Sequence, residues 1–153
     1  YHILKEVVNP FSATSGLFLH FVNENNNEIQ KLLSNAQGLH YYESINYDNS
    51  IIMHLVTKEN KLFLLPSRYI YVGPSGMDAG RLCIEYCLCT IYNKKILSQI
   101  VTILSEIYHI NQKETIVYIK TNILLLLRKY FHLGFGAEPL LKLWTDIKNI
   151  NNP

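Results

Sequence analysis

The feature that constrains this chain most is a helix-like run that is apolar on two sides. Within residues 111–131, Ile116, Ile119, Ile123, Leu126 and Tyr130 recur at spacings of 3, 4, 3 and 4. Val117, Leu124, Leu127 and Phe131 add a second stripe beside the first. A helix apolar on two faces needs neighbours on both, so this segment is expected at the centre of the fold, with Leu126 buried on its inner stripe. Asn111 precedes it as an N-cap, and Glu114 stands three residues on, as in a capping box.

The segments around it supply those neighbours. Residues 94–109 are amphipathic: Ile96, Leu97, Ile100, Val101, Ile103, Leu104, Ile107 and Tyr108 make one face. Ser75 and Asp78 stand in the capping-box relation, so a helix is expected to start at about Gly76. Helical spacing from there to His109 is too long for one helix, and a break is expected near Asn93-Lys94-Lys95. Residues 132–139 read as a loop. Pro139 suits the first turn of a last helix with Leu140, Leu143, Trp144 and Ile147 on its inner face.

The first half reads differently. LFLHFV (17–22) is rich in β-formers and is expected as a strand. Ile29, Leu32, Leu33 and Ala36 then fall at helical spacing over 26–37, before Gly38. Residues 39–47, 50–57 and 61–65 read as a three-strand meander joined at Asp48-Asn49 and Glu59-Asn60, with 69–72 as a continuation. The expected fold class is α+β: a small antiparallel sheet followed by a helical half of three to four helices. This order of elements is similar to that of longin and other SNARE-like adaptor domains. The resemblance extends to order alone, with no shared motif, and implies no role for any residue.

The 153 residues fit one domain spanning 1–153. The first residue is Tyr1, which suggests a domain excised from a larger protein. Charged residues make up 17% of the chain against a usual 25% or so, while 48% are hydrophobic. Such a surface either encloses a large core or is partly covered by a partner. Residues 1–93 hold six basic and eight acidic side chains, and residues 94–153 hold eight and four. That tilt falls short of the clustered basic footprint of a nucleic-acid binder. No apolar run reaches the roughly 20 residues that span a bilayer, and no signal peptide opens the chain.

All three cysteines lie in GRLCIEYCLC (80–89). On a helix, Cys83 and Cys87 share a face and Cys89 points elsewhere. A structural zinc site takes four ligands, and no further cysteine or histidine stands at ligand spacing, so no metal is expected. The cysteines read as small buried residues, with a reactive thiol as the competing reading. Cys–His catalysis would require His20, His40, His54 or another histidine to be brought close in space. GPSGMDAG (73–80) reads as a strand-to-helix turn, with anion binding at the helix start as the competing reading. The doublets Lys94-Lys95 and Arg128-Lys129 read as solvated helix ends.

No catalytic or cofactor-binding residue is therefore assigned. The chain is expected to be a non-enzymatic interaction domain, intracellular and cytoplasmic. It should meet a protein partner or a second copy of itself through the helical half, at Leu140, Leu141, Leu143 and Trp144. Trp144 has a competing role in closing the domain's own core. The alternatives are an enzyme with a dispersed Cys/His site and a weakly basic nucleic-acid-binding module.

Overall fold

A computed structural model of the chain describes residues 1–9, 16–37, 39, 43–47, 55–59, 61–64, 70–74 and 76–150. Three helices come first: α1 (His2–Val7), α2 (Gly16–Glu24) and α3 (Asn26–Gln37). Four short strands follow: β1 (Glu43–Tyr47), β2 (Leu55–Lys58), β3 (Lys61–Leu64) and β4 (Ile70–Pro74). Four helices complete the order: α4 (Gly76–Cys89), α5 (Lys94–Ile107), α6 (Gln112–Leu133) and α7 (Glu138–Lys148).

This overturns the expected α+β class: the fold is mostly helical. LFLHFV is helix α2, not a strand. Phe18, Phe21 and Val22 are its buried residues, at spacings that only a helix puts on one side. The stripe continues through Ile29, Leu32 and Ala36 of α3. Only a turn at Asn25 separates the two helices, where the Asn25 amide donates to the Phe21 carbonyl at 3.0 Å.

The three-strand meander does not form either. β2 pairs with β3 as an antiparallel hairpin, Leu55 opposite Leu64, with Glu59 at positive φ in the turn. β1 pairs instead with β4, Glu43 opposite Pro74 through Tyr47 opposite Ile70. These are two separate two-stranded ribbons. With three helices in front and no common sheet, the longin-like order of elements is lost as well.

The helical half follows the sequence closely. Asn93 caps α5 by accepting from the Ile96 amide at 2.9 Å, at the expected break. Asn111 and Glu114 form the reciprocal capping box of α6. Gly134, at φ 70°, ends α6 in the left-handed conformation that glycine adopts without strain. Ser75, half of the expected capping box of α4, lies outside the described residues.

Every other described helix touches α6. All ten of its residues from 115 to 124 are buried, so it is enclosed on all sides there. Leu126 departs from expectation: it is half-buried, whereas Leu124 and Leu127 are fully buried. The reason is the face: Leu124 and Leu127 lie about 60° apart round α6, whereas Leu126 stands about 100° or more from either and turns away from the buried side.

The most extensive helix contact is α4 on α6. On α4, Gly76, Gly80, Cys83 and Cys87 recur at spacings of 4, 3 and 4, forming one stripe of small residues. A Cβ at Gly80 would lie 2.6 Å from the Tyr118 carbonyl oxygen, and one at Gly76 would overlap the Tyr118 ring at 2.1 Å. Glycine here sets the distance between the two helices. Gly80→Ala is accordingly expected to lose about 1–3 kcal/mol of stability through overpacking. It does so although alanine is the better helix former by about 1 kcal/mol. Gly16→Ala, where the new methyl meets open space, should lose nothing. Denaturant melts of the two variants make the comparison.

Candidate functional site

Cys83, Cys87 and Cys89 all stand on α4. Cys83 and Cys87 are buried and Cys89 is exposed; all three are free thiols. The Cys83 thiol donates to the Cys87 sulfur; that bond and burial together push Cys83 well above its ordinary value. The same bond pulls Cys87 below its ordinary value against the effect of burial, with help from the Lys142 ammonium.

Lys142 belongs to a surface cluster on α7. It pairs with Asp146, and the Tyr92 hydroxyl donates to Asp146 at 2.9 Å. Burial and the Asp146 hydrogen bond push the Tyr92 hydroxyl up to about 12. Around the thiols this amounts to packing between α4 and α7 with a charged lid. Of the histidines weighed for catalysis, His20 pairs with Glu24 at 3.2 Å on the exposed side of α2, and His40 and His54 lie outside the described residues. Among the described residues no three His, Cys, Asp or Glu side chains converge on a metal-sized site. With an aromatic disulfide reagent, Cys89 should react at once and Cys83 and Cys87 only as the protein unfolds. A fast second thiol in a Cys89→Ser variant would restore the reactive-thiol reading.

The second candidate is a groove of about 1220 Å³ between α3, the start of α6 and the end of α7. Lys31, Lys113 and Lys148 line it, and Glu28 of α3 pairs with Lys120 of α6 in its wall. Burial pushes the Glu28 carboxyl up. The Lys120 hydrogen bond and the charges of Lys120, Lys31 and Lys148 outweigh it and hold the group below its ordinary value. The Glu114 amide donates to Asn111, so the capping box already takes up an N–H at the start of α6. The buried charge has its partner.

The residues expected to meet a partner are placed otherwise. Leu140, Leu143 and Trp144 are buried in the domain's own core, and Leu141 is half-buried. Trp144 is 2% exposed; its indole N–H donates to Asn25 Oδ1 at 3.1 Å, and its ring meets Phe21 edge-on at 5.6 Å. It closes α7 onto α2, the role that competed with an interface anchor in the sequence.

A row of open apolar side chains lies on α5. The single face read from the sequence is divided in two by the fold. Leu97, Val101 and Leu104 are buried. About 100° round the helix, Ile96, Ile100, Ile103 and Ile107 form a stripe at spacings of 4, 3 and 4. Ile96 and Ile100 are half-buried, whereas Ile103 is 53% and Ile107 63% exposed. Ile91, in the turn just before α5, is 99% exposed. The sequence signal for this stripe was present, as four isoleucines in register. What it lacked was the position of α4 and α6, which decides the side they cover.

Comparison with protein-family models, with curated proteins and with solved structures finds no match.

Proposed function

We propose that this chain is a non-enzymatic protein–protein interaction domain whose docking face is the isoleucine stripe of α5. The observation that carries this reading is the exposure of Ile103 and Ile107 on a helix whose other apolar side is fully packed. Single exposed apolar residues are ordinary, but four isoleucines aligned on one helix side form a continuous patch. The 4-3-4 spacing is that of a helix–helix seam. Isoleucine also loses little side-chain entropy when covered, about 0.5–1 kcal/mol, which favours its use at a contact.

The low charge of the chain supports the same reading, as does the enclosure of α6, which leaves the outer helices to present surface. Among the described residues no helix is long and apolar enough to cross a membrane. A lipid-spanning role for the stripe therefore has no support from α5, whose 14 residues reach only about 21 Å.

The test is a double variant, Ile103→Lys with Ile107→Lys. Retention on a phenyl resin should fall sharply while the thermal midpoint stays within error of the parent, as for surface changes. A stability loss of about 2 kcal/mol or more would place the stripe in the core and remove the reading.

A further inference from the structure

The charges on α5 name the partner, and the inference rests on reading its isoleucine stripe as a docking face. Lys94 and Lys95 occupy the first turn of the helix and Glu106 the last. Both signs are wrong for the helix dipole, which favours acids at the start and bases at the end. All three side chains are exposed, and none of them has an ion-pair partner among the described residues. Lys95 and Glu106 are eleven residues apart, about three turns, so they stand on the same side of α5 and flank the stripe.

We propose that the open side of α5 docks against the same side of α5 from a second copy of this chain, in antiparallel orientation. Antiparallel pairing about the midpoint of the stripe, between Ile100 and Ile103, sets each isoleucine against the partner helix. It also brings Lys95 of one copy within about 3 Å, along the axis, of the level of Glu106 in the other. A two-fold axis perpendicular to both helices keeps that flank on a common side, so the two ion pairs form together. The wrong-signed ends then face each other across copies, and the helix dipoles oppose. A parallel pair, with its two-fold axis along the helices, would put this flank on opposite sides of the two copies and leave Lys95 and Glu106 without a cross-copy partner. One helix face covers less than the roughly 800 Å² per partner of a standard interface, so the dimer is reversible and concentration-dependent.

Sedimentation velocity on the full chain, in a concentration series reaching the millimolar range, tests this. The wild-type protein should pass from monomer to dimer. Lys95→Glu and Glu106→Lys should each weaken the dimer about fivefold or more, because each sets like charges together twice. Neither should lower the thermal midpoint, since each corrects a dipole mismatch. An equimolar mixture of the two variants should dimerise about as tightly as wild type, because both cross-copy pairs are then Glu opposite Lys. A mixture no tighter than its components overturns the antiparallel pairing. A wild-type chain that stays monomeric overturns the second copy as occupant, while the resin result above still decides whether the stripe is a docking face. A dimer unaffected by Ile103→Lys with Ile107→Lys overturns both.

Discussion

The contact between α4 and α6 sets the dimensions on which the other elements depend. Two glycines allow it. Where Gly80 meets the Tyr118 carbonyl and Gly76 the Tyr118 ring, no side chain fits. Asn122 of α6 ties the approach together, its amide donating to the Met77 carbonyl at 3.1 Å and to the Tyr118 carbonyl at 3.0 Å. Cys83 and Cys87 continue the small-residue stripe and pack in it as small buried side chains.

With α4 so close, residues 115–124 of α6 become fully enclosed, and enclosure dictates how the polar ones among them behave. Thr121 returns its hydroxyl to the Val117 carbonyl at 2.8 Å, and Thr115 to the Asn111 carbonyl at 3.1 Å. Lys120 reaches Glu28 and lies 5.8 Å from the Trp144 ring centroid. Removing one member of such a buried pair leaves an uncompensated charge, so the pair ties α3 to this stretch of α6. α5, packed on one side only, leaves Ile103 and Ile107 open.

The helical half was legible in the sequence because its signals are local. The Asn111 capping box, the break near Asn93, the loop over 132–139 and the inner face of α7 depend on neighbouring residues and hold wherever the helices pack. The front half was not, because its signals compete. LFLHFV has the composition of a strand but the burial spacing of a helix, and Phe18 and Phe21 settle the matter by packing on Phe131 and Trp144. Strand pairing depends on partners far along the chain, so four short β-like runs gave no indication that the first would join the last. The docking face needed tertiary information twice over. Trp144 looks like an anchor until Asn25 and Phe21 are placed around it, and the α5 stripe looks like core until α4 and α6 are seen to cover only its neighbour.

Native-state hydrogen exchange tests the central claim, that α4 and α6 form one close-packed unit on which the fold rests. Amides of α4 and of residues 115–127 in α6 should share the slowest exchange, opening together at the free energy of global unfolding, with α1 and the strand ribbons exchanging earlier. Exchange of α4 ahead of α5, or of α6 in a separate and faster step, would contradict it.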